Sequence, residues 1–206
     1  MSDRLPTVFL VDDEPEVLKA VARLFRAEGF PVSACSSPRE FLDQVDPDAP
    51  GCLVLDMSMP GFSGLEVQRE LEARGCPLPV VFLTGRADVP ATVQAMKHGA
   101  QDFLTKPVED EELLGAVRRA IEKDAVARSE RAEVAAVTAR LETLTPRERE
   151  VLEHVVAGEL NKQVAGRLGT VEKTIKVHRA RVMEKMQASS LADLVRLARR
   201  VGVGLR

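Results

Sequence analysis

The sequence predicts an α/β domain built on an open parallel sheet, followed by a compact all-helical unit. Three observations carry that reading. Short β-branched runs alternate with longer helical patterns through the first half, the rhythm of βα units. From Ala116 to Leu144 there is neither glycine nor proline, and the residues are mostly Ala, Glu, Arg, Lys and Val, so a long helix leads out of that region. After Thr145 the apolar spacing is helical only.

The candidate strands are Thr7 to Val11, Val32 to Cys35, Cys52 to Leu55, Val80 to Leu83 and Asp102 to Leu104. Between the first two, Val17, Leu18, Val21, Leu24 and Phe25 recur at helical spacing and Gly29 supplies a stop. The same logic places helices near Gly64 to Ala73, Pro90 to His98 and Asp110 to Glu122. In the long helix, Val134, Val137, Leu141 and Leu144 follow a 3-4-3 spacing, the start of a heptad pattern. That row fits either self-pairing with a second copy or a solvated spacer with one weakly apolar face. Thr145, Pro146 and Glu148 then form a capping box with proline at the first helical position. Helices follow at Pro146 to Ala157, Asn161 to Leu168, Glu172 to Met186 and Leu191 to Val201, with Gly158 and Gly169 as breaks.

Composition bounds the function classes. The chain has 206 residues, 45% hydrophobic and 30% charged, ordinary for a globular protein. No stretch approaches the roughly 20 apolar residues that span a bilayer. The N-terminus meets acid right after its short apolar run, unlike a signal peptide. A cytoplasmic protein without membrane association is the expectation. Cys35, Cys52 and Cys76 are odd in number and far from any Cys-x-x-Cys spacing, which indicates neither a disulfide framework nor a zinc site. Residues 1–145 carry 16 Lys and Arg against 25 Asp and Glu, whereas 146–206 carry 13 against 7. An acidic front and a basic tail point to different partners, with a polyanion fitting the tail.

Open α/β sheets bind ligands along the carboxyl edge, and there the runs end on chemistry: Asp12, Asp13, Asp56, Thr84 and Lys106. Two adjacent carboxylates near a third need a counter-charge, and a hard cation with oxygen ligands, Mg²⁺, fits. Asp56 can then act as a nucleophile that forms an aspartyl phosphate, with Lys106 and Thr84 stabilising the transferred oxygens. Each residue alone is equally a helix cap, a turn residue or a surface lysine. Their joint order carries the weight.

Those residues sit in VDDE at 11–14, LDMSMPGFSGLE at 55–66, FLTG at 82–85 and DFLTKP at 102–107. Together they resemble the receiver domain of bacterial two-component response regulators. The resemblance implies a flavodoxin-like (CheY-like) five-stranded parallel sheet in 2-1-3-4-5 order, with Asp56 phosphorylated by a sensor histidine kinase. It further implies Mg²⁺ held by Asp13, Asp56 and the backbone carbonyl of Ser58, with Asp12 acting through water, and a cis peptide before Pro107. By the same resemblance Thr84 and Phe103 form a switch, the hydroxyl moving toward the phosphate as the aromatic rotates inward, and the face around residues 90–98 with the last strand and following helix pairs two copies into a homodimer. Phe103 reads equally as a buried strand aromatic.

In the tail, the stretch from Glu172 to Met186 divides by helical phase. Val171, Ile175, His178, Val182 and Met186 fall on one row, expected to face the core, with His178 packed and hydrogen-bonded. Lys173, Lys176, Val177 and Ala180 form the opposite row, flanked by Thr174, Arg179, Arg181 and Lys185. Cations beside small apolar residues suit phosphates, guanine edges and thymine methyls. The run LTPREREVLEHVVAGELNKQVAGRLG, then TVEKTIKVHRARVMEKM and SSLADLVRLA, resembles the LuxR-type helix-turn-helix of the NarL/FixJ subfamily. Double-stranded promoter DNA is the implied partner, with RNA polymerase a further one. The family's Ser cap is Val171 here, so Thr170 is the expected substitute cap.

The resulting boundaries are a receiver at 1–123, a helical linker at 124–143 and a DNA-binding domain at 144–206. Two other readings stand beside this one. An aspartate-nucleophile phosphatase would need a second Asp where Ser58 stands. A phosphorelay protein would use the tail to bind protein instead of DNA.

Overall fold

A computed structural model describes residues 4–85 and 89–204. Its elements are β1 (Thr7–Val11), α1 (Pro15–Ala27), β2 (Val32–Cys35), α2 (Pro38–Gln44), β3 (Gly51–Asp56), α3 (Gly64–Ala73), β4 (Val80–Thr84), α4 (Val89–Lys97), β5 (Asp102–Thr105) and α5 (Asp110–Glu142). Then follow α6 (Pro146–Val156), α7 (Asn161–Arg167), α8 (Glu172–Lys185) and α9 (Leu191–Arg200). Contacts divide the chain into two compact units, Met1–Arg128 and Ser129–Arg206.

In the first unit all five strands are parallel, in the order β2-β1-β3-β4-β5. The central strands are covered on both faces, which is why VFLV, CLVL and VVFL read as unbroken apolar runs. The pleat sorts them. Val8, Leu10, Cys52, Val54, Val81 and Leu83 meet Ala22 and Phe25 of α1 and Leu113 and Val117 of α5. Val11, Leu53, Leu55 and Phe82 meet Phe41 of α2 and Val67 and Leu71 of α3 on the other face. Each such fully buried side chain stabilises the unit by about 2 kcal/mol.

β3 extends one residue beyond the sequence expectation at each end, because the ladder recruits two weak strand formers: Thr7 pairs with Gly51, and Asp56 with Leu83. At Gly51 (φ 147°) a Cβ would stand 1.9 Å from the Thr7 carbonyl oxygen, so the site admits only glycine. The Gly51 N–H donates to Asp124 Oδ2 on α5 at 3.0 Å. Arg128 donates to the same carboxylate at 2.7 Å and to the carbonyls of Asp48 (2.8 Å) and Ala49. These bonds hold α5 to the base of β3 beyond Lys123, and residues 124–143 are thereby shared between the two units.

The helix expected at Asp110 to Glu122 and the linking helix are one element, α5. Of its heptad row, Val137 and Leu144 are buried in the core of the second unit and Leu141 packs against it, leaving Val134 exposed. The row thus serves that core, with Val151, Leu152, Val164, Ile175, Val182, Met186 and Leu194. The four helices α6 to α9 each stop one residue before their expected ends, where Ala157, Leu168, Met186 and Val201 act as C-caps.

Two expectations in α8 are corrected. Ile175, Val182 and Met186 are buried as the helical phase requires, but Val171 is 65% exposed. It is itself the N-cap, in extended conformation and with no side-chain cap bond, so Thr170 does not substitute for the missing serine. His178 is half-buried as expected, yet its Nδ1 has no hydrogen-bond partner. Among the described residues, no helix is long and apolar enough to cross a membrane.

Candidate functional site

Strand order reverses between β1 and β3, and ligands bind α/β sheets outside the carboxyl ends at such a switch point. Asp12 and Asp13 follow β1, Asp56 ends β3, Thr84 ends β4 and Lys106 follows β5. The fold therefore gathers at one edge residues up to 94 positions apart. Lys106 Nζ lies 2.7 Å from Asp12 Oδ2, 3.0 Å from Asp56 Oδ1 and 3.4 Å from Glu14 Oε1. Asp12 and Asp56 are buried, Asp13 is half-buried and Thr84 is fully buried.

Backbone geometry fixes the carboxylates. Asp12 Oδ1 accepts the Glu14 N–H at 2.9 Å, and Asp56 Oδ2 accepts the N–H of exposed Ser58 at 2.7 Å. The peptide Lys106–Pro107 is cis, and the Lys106 N–H donates to the Thr84 carbonyl at 2.7 Å. Gly64 opens α3 directly under the site: a Cβ there would lie 2.6 Å from the Asp56 carbonyl oxygen and 2.9 Å from the Phe82 ring. Phe103 is half-buried, its ring 6.1 Å from that of Phe82.

Burial pushes the Asp12 carboxyl above its ordinary value, against the lowering pull of Lys106. Burial alone would lower the Lys106 ammonium, but hydrogen bonds and charge from Asp12 and Asp56 outweigh it and hold the group above its usual range. The Asp12 direction thus reflects burial first, and the Lys106 direction the carboxylates around its ammonium. Among the described residues, no three His, Cys, Asp or Glu side chains form a group that could hold a metal ion by themselves. Asp12 and Asp56 each turn an oxygen to Lys106 instead. The donors are all hard oxygens with negative charge in surplus. That set fits Mg²⁺, which retains several waters and needs no full protein cage.

On α8, Lys173, Lys176, Val177, Ala180 and Arg181 are exposed, and Thr174 is half-buried. Lys176 pairs with Glu172 at 3.4 Å, an exposed i,i+4 contact of little energetic weight. Two of the flanking cations are engaged within the unit. Arg179 donates to Asn161 Oδ1 at 3.2 Å, and Lys185 donates to buried Glu148 at 2.7 Å and to the Thr143 carbonyl at 3.1 Å. What remains open is a cationic row interrupted by Val177 and Ala180, charge and small apolar groups of the kind that suit a duplex groove.

Two family models match this arrangement, the response regulator receiver domain over residues 8–118 and the bacterial regulatory proteins of the luxR family over 142–198. The transcriptional regulatory protein FixJ of Azorhizobium caulinodans is 43% identical over 203 residues, covering 98% of this chain and 96% of FixJ. The chain belongs to the NarL/FixJ-type response regulators. Nodulation protein W of Bradyrhizobium diazoefficiens is 46% identical over 95% of this chain and 86% of its own. A solved structure of the response regulator StyR matches with a TM-score of 0.89 at 43% identity, covering 96% of this chain and all of that one. This response regulator is thus a phosphorylation-dependent transcriptional regulator, joining a receiver to a LuxR-type DNA-binding domain.

Three residues of the regulator's site escaped the sequence reading. Glu14 reaches Lys106 from 92 positions away, a contact no local pattern encodes. Gly64 looked like an ordinary helix start. Gln68 falls on the inward phase of α3 between Val67 and Leu71, and that polar intrusion was a usable signal. Its Nε2 donates to the carbonyls of Ala95 (3.2 Å) and His98 (3.0 Å), fastening the end of α4 to α3.

Proposed function

We propose that Asp56 is the phosphoacceptor through which a sensor histidine kinase controls this regulator's hold on promoter DNA in the cytoplasm. The observation that carries this is Asp56 itself, a buried carboxylate 3.0 Å from an ammonium and anchored by the Ser58 N–H at 2.7 Å. An Asp56 oxygen forms a bond to phosphorus while the donor's phosphorus–nitrogen bond breaks, its electron pair returning to the kinase imidazole. Bound Mg²⁺ supplies positive charge that screens the carboxylates from the incoming phosphoryl group. Asp12, Asp13, Asp56 and the Ser58 carbonyl are the groups that would hold it. Lys106 donates to the transferred oxygens, and Thr84 and Phe103 respond to the new charge as the switch pair.

The response then reaches a homodimer face. Val89, Val93 and Met96 are exposed along α4 at a spacing that puts them on one stripe, and an unpartnered apolar stripe supports pairing there. Two basic units held together bind two half-sites more tightly than one, through effective concentration. Lys173, Lys176, Val177, Ala180 and Arg181 supply the contacts, with Thr174 and Arg179 at the margin and Lys185 set back by its bond to Glu148. Binding then acts on transcription through RNA polymerase.

The test is labelling by a small phosphodonor with Mg²⁺. Asp56→Asn is expected to abolish incorporation while leaving the circular dichroism spectrum unchanged. Undiminished labelling in that variant assigns the acceptor elsewhere and refutes the reading.

A further inference from the structure

An ammonium has three N–H donors. Three carboxylates stand within ion-pair distance of Lys106 Nζ, which donates hydrogen bonds to Asp12 at 2.7 Å and Glu14 at 3.4 Å and faces Asp56 at 3.0 Å. Once Asp56 carries a phosphoryl group, the N–H facing Asp56 can serve one of its oxygens, and a second hydrogen bond from Lys106 requires giving up Asp12 or Glu14. The three partners differ in how readily they can be given up. Asp12 is 1% exposed, so leaving it unpaired strands a desolvated charge. Asp56 is the group being modified. The Glu14 side chain is 65% exposed and makes the longest of the three contacts, so water can replace Lys106 there at little cost.

Glu14 also forgoes its local structural role. It occupies the N-cap of α1, yet its side chain makes no capping bond and extends across the edge to Lys106 instead. Pro15 at the first helical position lowers the number of amides that need a cap. The side chain is thus spare for the site, at the modest cost of an uncapped helix start.

We propose that Glu14 is a positioning residue that holds the third N–H of Lys106 away from the phosphoryl-binding position, setting the rate at which Asp56 is modified. Glu14 is the exchangeable partner, and its release is part of reaching the transition state. Removing the contact in advance leaves Lys106 with a free donor aimed into the site. This inference rests on Asp56 as phosphoacceptor, and it concerns the tuning of that site by a residue that neither accepts phosphate nor holds the metal.

The full-length chain is labelled with acetyl phosphate and excess Mg²⁺, and the rate is followed at saturating donor. In that reaction an Asp56 oxygen bonds to phosphorus as the donor's P–O bond breaks, its electron pair leaving on acetate. Glu14→Gln is expected to raise the saturating rate about threefold, the worth of one exposed ion pair. Glu14→Asp keeps the charge but is one methylene too short to hold the ammonium, and it is expected to match Glu14→Gln. Thermal unfolding of Glu14→Gln should match the wild type, whereas a merely structural role would shift it and leave labelling unaltered. An unchanged rate in Glu14→Gln overturns the proposal. So does Glu14→Asp labelling like the wild type while Glu14→Gln is faster, because charge alone would then account for the effect. Failure of the wild type itself to be labelled, or labelling that survives Asp56→Asn, would instead overturn the underlying site and is recognisable as such.

Discussion

Glu148 closes two systems of bonds at once. Its Oε2 accepts the Thr145 N–H at 2.9 Å in the capping box of α6, and it takes Lys185 Nζ at 2.7 Å from α8. The hydrogen bond from Lys185 and then that from the Thr145 N–H hold its carboxyl below the ordinary 4.5, outweighing burial. A carboxyl depressed by folding adds stability that is fully present above 4.5 and is lost as pH falls through its lower, folded value. The protection of α6 and α8 amides in the full chain, relative to their intrinsic exchange rates, should therefore fall as pH drops below that point. Glu148→Gln should remove this pH dependence and cost about 2 kcal/mol at neutral pH, less than a wholly buried pair because Lys185 remains 34% exposed. Equal protection in wild type and variant across that range would contradict the assignment. Single residues were legible in the sequence where a strand end announced them, as with Asp12, Asp56, Thr84 and Lys106. Glu14, and the inward bond of Lys185, were not, because each depends on a partner tens of positions away.

Elements were legible where period and burial agree. β3 and β4 are buried over their whole length and read as apolar runs, while α6 announced itself through Thr145, Pro146 and Glu148. Misreadings arose where one pattern serves two purposes. The row Val137, Leu141 and Leu144 has the spacing of a coiled-coil seam, but it fills the core of the helical unit. Val171 continues the buried row of α8 by phase, but at the N-cap the backbone leaves the helix and the side chain turns to solvent. The exposed row of α8 has its own test. Replacing Lys176 and Val177 together by Ala should weaken binding to a target duplex about tenfold and reduce the salt slope by about one counterion. The measurement is a titration at several salt concentrations. A double variant with wild-type affinity and slope would move the contact surface off α8.

Across the whole molecule, two cores of different construction share one 33-residue helix, α5. Asp124 and Arg128 bond its middle turns to the base of β3, the strand whose other end carries Asp56. Val137 belongs to the helical core. A phosphorylation-dependent regulator that joins a receiver to a separate DNA-binding domain must connect the two in free energy, and such couplings are typically worth about 1–3 kcal/mol. What joins the two halves is therefore linkage. It is tested most directly by the affinity of the full-length regulator for duplexes recovered by genomic footprinting, measured with Mg²⁺ before and after treatment with a small phosphodonor. Binding is expected to tighten by about tenfold or more after treatment in the wild type and not to change in Asp56→Asn. Equal affinity before and after treatment, in a protein shown to carry the label at Asp56, would contradict it.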